Sequence, residues 1–423
     1  MALHLTGTAA EPELLLLPWH MRLESWPEDV TVTVPRGISR NIVRFVRGSS
    51  AVLAIKEIPE GIASREYALL FELQRRAAPC VEPIAVVSGR VDEAGQSLPG
   101  ALVTRHLTHS MPYRLVMARS SARQLWPSLI DALVLLIVRL HLLGFAWNDC
   151  SLSNALFRRD AGEFAAYLVD AETGQMQPKL SRGQRDYDLD TAALNVMGEL
   201  MDLQAGGLVE EELDVTEVGD ELKRRYEHLW MTLTEPVHLD GEDRTPIYTL
   251  VRTLNGLGFD VGELTADATE GGPASRVSVR AKVVDAGHHR RRMSRLTGLD
   301  MQENQARRLL NDLDSFRFVH GYGDNEKLAA RAWAAHVYDD VLRRIPADLA
   351  WRMDDAELVH EVMEHRWYVS ERAGRDVGLA AATDDYVATM LPQRLQPEEL
   401  AVDVGLPDDD LLDQDLPHEE ELD

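Results

Sequence analysis

A chain of 423 residues with 45% hydrophobic content has room for two or three domains and an ordinary supply of core-forming side chains. Its formal net charge of −26 disfavours nucleic acid and anionic membranes as partners, although twelve of the acids fall within 398–423, where no Lys or Arg occurs. Two cysteines, Cys80 and Cys150, exclude a disulfide framework and point to a reducing compartment.

The first 27 residues read as irregular. The leucine run 14–17 follows two glutamates and stops at Pro18, which is unlike a signal peptide, and it is expected to dock on the first sheet. Alternation predicts strands over 30–34 (VTVTV), 41–47 (NIVRFVR) and 50–58 (SAVLAIKEI), with a turn at 35–40. A helix over 62–76 follows, then strands at 83–88 and 101–105. The apolar stretch 130–145 belongs to a predicted helix over 122–143. Asp131, Arg139 and His141 interrupt it, so no bilayer span and a cytoplasmic location are expected. A strand over 165–169 and a helix over 186–204 come next. Acids open that helix, suited to the positive end of its dipole. Beyond 205 the chain is mostly helical (209–233, 304–314, 328–344, 356–368 and 380–391), with a linker expected at 256–275. The residues after 395 are rich in acids and poor in aromatics, the composition of a disordered tail.

Chemistry-bearing residues concentrate in two places. Leu140–Asn154 reads LHLLGFAWNDCSLSN, in which a long apolar helix ends at Gly144 and a short loop presents Asp149 and, five residues on, Asn154. The next strand delivers Asp170 at the end of LVD. Upstream, Lys56 stands near the end of a strand in AIKEI, one of only five lysines beside thirty-nine arginines. Keeping a compact ammonium where arginine is the chain's usual cation argues that this position needs it. Glu66 lies ten residues later on the following helix. Glu72 is the rival partner but leaves the face shared by Glu66 and Leu70.

In this order the motifs resemble the catalytic segments of the protein-kinase-like fold, and the first 205 residues are similar to the lipopolysaccharide (Kdo) kinase-like family. The resemblance implies an α+β, two-lobed domain with an antiparallel N-lobe sheet and a helical C-lobe, here 1–205. A mostly α-helical domain (206–395) and the acidic tail (396–423) follow it. EHRWYVSERAGRDVG, 364–378, further resembles an uncharacterised helical domain found behind such kinases in actinobacterial proteins. The kinase resemblance implies that Lys56, held by Glu66, binds the α- and β-phosphates of ATP. It implies that Asn154 and Asp170 hold Mg²⁺ and that Asp149 positions a hydroxyl acceptor. The phosphate-covering loop would be PRGISRN, with Gly37 and Ser39 as its contacts. Such folds also brace the catalytic loop with an Asp from the following helix, for which Asp188 and Asp190 both qualify.

The chain departs from the protein-kinase pattern at several points. Trp147 and Asn148 stand in place of His-Arg, Ala171 and Glu172 in place of Phe-Gly, and Gly37 is the only glycine of its loop. These losses argue against control by activation-loop phosphorylation and admit a second reading, a nucleotide-binding pseudokinase. Elsewhere the expectations are plain. His360 and His365, five apart, leave a common helix face and are not a zinc pair. Cys150 fills core space, and Trp333, Trp351 and Trp367 belong to the core. The basic patch 288–295 (HHRRRMSR) pairs with the acidic tail in preference to nucleic acid.

Overall fold

A computed structural model describes residues 3–7, 11–34, 41–49, 51–117, 122–210, 213–235, 237–240, 245–256, 258–268 and 276–394. The expected phosphate loop with Gly37 and Ser39, the tip of the 256–275 segment and the acidic tail lie outside these residues.

The upper lobe is an antiparallel five-stranded sheet in the order β1-β4-β5-β3-β2, formed by β1 (His4–Gly7), β2 (Val43–Arg47), β3 (Val52–Ile58), β4 (Glu82–Ser88) and β5 (Gly100–Arg105). Alternation along β3 gives the sheet two buried faces. Leu53 and Ile55 pack under Leu14, Trp19, Leu23 and Trp26 of the N-terminal segment, whereas Ile58 faces helix α1 (Glu60–Arg75). Lys56 shares the α1-facing register. Three expectations need correction here. Residues 31–34 form no strand and run beside β2 with a single backbone bond from Val32 to Phe45. The N-terminal segment, read as irregular, contributes β1, which pairs with β4. Of the leucine run only Leu14 docks fully; Leu15 and Leu16 point outward.

The lower lobe is built on helix α3 (Ala122–Leu142), preceded by β6 (Ser110–Met111) and the short α2 (Tyr113–Met117). The portion Leu125–Leu142 is long and apolar enough to cross a bilayer by length and composition, but its side chains Leu129, Leu133, Leu136, Ile137 and Leu140 lie in the core. After α3 come β7 (Phe145–Ala146), the hairpin β8 (Ala155–Asp160) and β9 (Glu163–Leu168), β10 (Gln175–Met176), and helices α4 (Arg182–Ala205) and α5 (Val215–Thr234). The start of α4 is set by a capping box between Ser181 and Gln184 and not by the acids, which fall in its second and third turns.

Among the described residues of the expected linker, 259–268 form a strand. β11 (Val237–Asp240), α6 (Thr245–Gly256), β12 (Phe259–Ala268) and β13 (Arg276–Ala286) follow α5, and the last two strands pair along most of their length. Backbone pairing with a strand outside the window overrode a Gly-, Thr- and Asp-containing composition that reads as coil. Helices α7 (His288–Thr297), α8 (Glu303–Val319), α9 (Glu326–Trp333), α10 (Asp339–Arg344), α11 (Ala347–Ala350), α12 (Asp355–Ala373) and α13 (Leu379–Thr389) complete the described chain. The expected single helix over 328–344 is interrupted by a π turn at Ala334–Tyr338.

The core of the lower lobe does not stop at 205. It takes in Val215, Val218, Leu222, Tyr226 and Leu233 of α5, Leu250 and Leu254 of α6, and Phe259, whereas a separate core gathers residues between Met293 and Leu391. Trp333 is buried in the second core. Trp351, at the end of α11, and Trp367 are half exposed, against expectation; Trp367 is turned outward because Leu358, Val359 and Val362 set the inward face of α12.

Candidate active site

The local geometry of the cleft starts with β3. Its alternation sends Lys56 toward α1, where Glu66 is wholly buried, and the two meet at 3.2 Å. Glu72 instead lies outside and pairs with Arg75 and Arg76. Lys56 Nζ also donates to Asp170 Oδ2 at 2.6 Å and to Glu172 Oε2 at 3.1 Å. Burial alone would depress the Lys56 pKa, but Glu66, Asp170 and Glu172 outweigh it and hold the amine above the ordinary lysine value. Glu66 moves the other way from a normal salt-bridged acid. Burial and the charge of Asp170 push it up to about 7, against the pull of Lys56. The two directions agree physically, since three carboxylates around one ammonium leave an excess of negative charge.

That excess is also the test for a metal. Oxygens of Glu66, Asp170 and Glu172 lie within 4.8 Å of one another. Asn154 Nδ2 donates to the Asp149 main-chain oxygen at 3.0 Å and to Asp149 Oδ2 at 3.1 Å, so the amide oxygen of Asn154 is the face left for a cation. Hard oxygen donors with surplus negative charge fit Mg²⁺.

The catalytic-loop candidates are held from below by α4. Asp188, completely buried, accepts the main-chain N–H groups of Trp147 and Asn148, each at 2.7 Å, and its Oδ2 lies 3.1 Å from His141 Nε2. The choice left open in the sequence thereby falls on Asp188. Asp190 is exposed and pairs with Lys223. The two bonds fix a turn in which Asn148 adopts a left-handed φ of 66°. Farther along α4, Asn195 Nδ2 donates to the Cys150 carbonyl at 3.0 Å and approaches Asp149 Oδ1 at 3.4 Å. Glu199 accepts the N–H groups of Leu152 and Ser153. The roots of the β8–β9 hairpin join the loop to Asp170. Asn154 ends the loop just before β8, Asp170 follows β9 by two residues, and Val169 N–H donates to the Asn154 carbonyl at 3.1 Å. The Trp147 indole donates to the Asp170 carbonyl at 3.0 Å, so the residue standing in the usual His position ties the two acids' segments together.

Lys56 therefore meets Glu66 and Asp170 directly, and the Asp149–Asn154 pair is joined to the Asp170 segment through the Val169–Asn154 main-chain bond. The sequence reading missed Glu172, Asn195, Glu199 and His141. Asp188, Asn195 and Glu199 recur at seven and four residues, one helix face carrying polar groups where burial was expected, and that was the available signal. The other candidates separate. His365 Nε2 lies 2.7 Å from Asp385, and His360 is buried elsewhere. Cys150 is fully buried, with burial pushing its thiol up well beyond the ordinary value. In the basic patch, His289, Arg290 and Arg292 are engaged by Glu303, Asp300, and Asp314 with Glu326.

An antiparallel sheet carrying a helix-braced lysine, set above a loop with Asp and Asn and a strand-end Asp, is the architecture of a protein-kinase-like domain. Residues 44–204 match the model of the lipopolysaccharide kinase (Kdo/WaaP) family, and residues 228–391 match DUF4032, a domain of unknown function. The chain therefore carries a segment similar to the lipopolysaccharide kinase family ahead of one similar to DUF4032. No curated protein matches it. Among similar solved structures is WaaP in complex with acyl carrier protein, 16% identical, with 61% of this chain and 95% of that one covered at a TM-score of 0.35.

Proposed function

We propose that the chain is an ATP- and Mg²⁺-dependent phosphotransferase acting on a hydroxyl group. The observation that carries this reading is the convergence of Lys56, Glu66 and Asp170, with 3.2 and 2.6 Å contacts, beside the Asp149–Asn154 pair. Lys56, held charged by its carboxylates, aligns the α- and β-phosphates, and Glu66 keeps its amine from swinging out. Asp149, fixed by Asn154 and approached by Asn195, accepts the hydrogen bond of the acceptor hydroxyl and orients its oxygen for attack. Asp170 and the Asn154 amide oxygen are the metal ligands of this reading; a bound Mg²⁺ would offset charge on the phosphate oxygens. Gly37 and Ser39 are assigned to the phosphate loop, and the cytoplasm, where ATP is supplied, is the assigned location. Glu172 occupies one hydrogen of the Lys56 ammonium and must yield it when a phosphate oxygen arrives.

Asp149→Asn tests the assignment. The variant should still bind ATP in a Mg²⁺-dependent thermal-shift titration while phosphate transfer falls by at least about 100-fold, the usual weight of a positioned acid or base. Full turnover in this variant would sink the reading. Glu172 on Lys56 also favours the second reading, a nucleotide-reading pseudokinase. Nucleotide binding by the wild-type chain without ADP release across sugars, lipids and protein acceptors would decide for it.

A further inference from the structure

One concavity among the described residues has no part in the kinase-like site. Between α8 and α12 lies a pocket of about 280 Å³, the size for a fragment-sized ligand. Leu309 and Met363 line it, and Trp367 and Tyr368 stand beside them edge to face, with ring centres 4.8 Å apart. Both aromatics are more than half exposed. Two adjacent large rings left in water beside a cavity offer a flat apolar surface to a planar guest.

The polar end of the pocket consists of Arg308 and His360. His360 is only 5% exposed, yet among the described residues neither ring nitrogen has a hydrogen-bond partner. The ring nitrogens keep some solvent access at the pocket, so water or a guest can supply the partner. Arg308 is exposed and likewise has no ion pair among the described residues. Burial, reinforced by the charge of Arg308, keeps His360 below the ordinary histidine value, so it meets a ligand as a neutral ring with one N–H to donate. Two acids complete the wall. Asp312 accepts the Trp333 indole N–H at 2.7 Å and has Arg366 as a compensating charge. Glu364, exposed one helical turn after His360, disfavours a multiply charged anion such as a phosphate dianion.

We propose that this pocket binds a small planar carboxylate, its oxygens shared between Arg308 and His360 and its ring lying along Met363 beside Trp367. The site is independent of phosphoryl transfer. Its α12 wall belongs to the segment EHRWYVSERAGRDVG and the turn before it, for which the kinase-like cleft has no role, and its α8 wall supplies Arg308, Leu309 and Asp312.

The test is calorimetric titration of the full chain with indole-3-carboxylate, beside indole-3-carboxamide and tryptamine as its neutral and cationic counterparts. Saturable binding of the carboxylate is expected. The carboxamide and the Arg308→Gln variant should each lose about 10-fold or more in affinity, the weight of one charge-assisted hydrogen bond. The exposed position of Arg308 lets that variant keep the wild-type urea midpoint. A fluorescence change on binding should be absent from Trp367→Phe. No saturation into the millimolar range, preference for tryptamine, or unchanged carboxylate affinity in Arg308→Gln would each overturn the proposal.

Discussion

Replacing Asp188 by Asn tests the brace beneath the catalytic loop without reference to any activity. The carboxylate, itself without solvent access, takes two main-chain N–H groups and faces His141 Nε2. An asparagine keeps the shape, but one of its two ends becomes an NH₂ that confronts a main-chain N–H. One charge-assisted bond is lost, roughly 1.5–3 kcal/mol, and one buried donor is left unpaired, roughly 1–3 kcal/mol. A loss of about 3–5 kcal/mol follows, a large part of the stability of an ordinary domain. Asp190→Asn is the matched control, because its bond to Lys223 is at the surface and is worth less than about 1 kcal/mol. Urea unfolding measures both variants, and hydrogen exchange at the amides of Trp147 and Asn148 localises the effect. Equal midpoints for the two variants, or unchanged protection at those two amides, would refute the reasoning.

Glu357 accepts Ala161 N–H at 2.8 Å where α12 meets the β8–β9 turn, and burial pushes its pKa up to about 7. The folded chain thus holds this proton more tightly than the unfolded one. The contribution to stability is complete below the ordinary value of 4.5 and is lost as pH rises through about 7. Glu357→Gln should therefore flatten the fall of the urea midpoint across that window, and an unchanged slope would count against it. Gly144 ends α3 with a φ of 82°, and a Cβ there would land on the Gln177 carbonyl oxygen. Gly144→Ala should cost about 2–5 kcal/mol from left-handed strain plus overpacking, read by thermal or urea unfolding.

Lys56, Glu66, Asp149, Asn154 and Asp170 were singled out because the order of their motifs resembles the protein-kinase-like fold, and the structure brings Lys56 to Glu66 and Asp170, and Asn154 to Asp149. Glu172 was not, since its role comes from reaching Lys56 across 116 residues of chain, which no local period encodes. The strand His4–Gly7 was hidden for a related reason. Four residues carry too little alternation to be read, and their partner, Ser88 to Ala85, is remote. Trp367 shows the limit of residue type as a guide to burial. Helical position alone does not give the phase of a helix, and on α12 the aliphatic residues Leu358, Val359 and Val362 took the inward side. Among the acids of α4, only tertiary contact with Trp147 and Asn148 separates Asp188 from Asp190.

The division of the cores bears on where the kinase-like unit ends. The sequence placed its end at 205, and the family match stops at 204. We place the end of the folding unit beyond Phe259, because α5 buries Val215, Val218, Leu222, Tyr226 and Leu233 on the same core as α3 and α4. Five such side chains are worth roughly 8–15 kcal/mol at ~1.5–3 kcal/mol each, as much as the net stability of a domain. Tyr226 Oη also lies 2.7 Å from His141 Nδ1, and His141 in turn meets Asp188, so α5 reaches the brace of the catalytic loop through one intermediary. A chain ending at Ala205 should accordingly bind hydrophobic dye and unfold without a cooperative transition, whereas one ending at Gly287 should melt cooperatively and keep Trp147 shielded from quenchers. Cooperative melting of the shorter chain would show that α5 merely rests on a lobe already complete, and the brace would then have to stand without it.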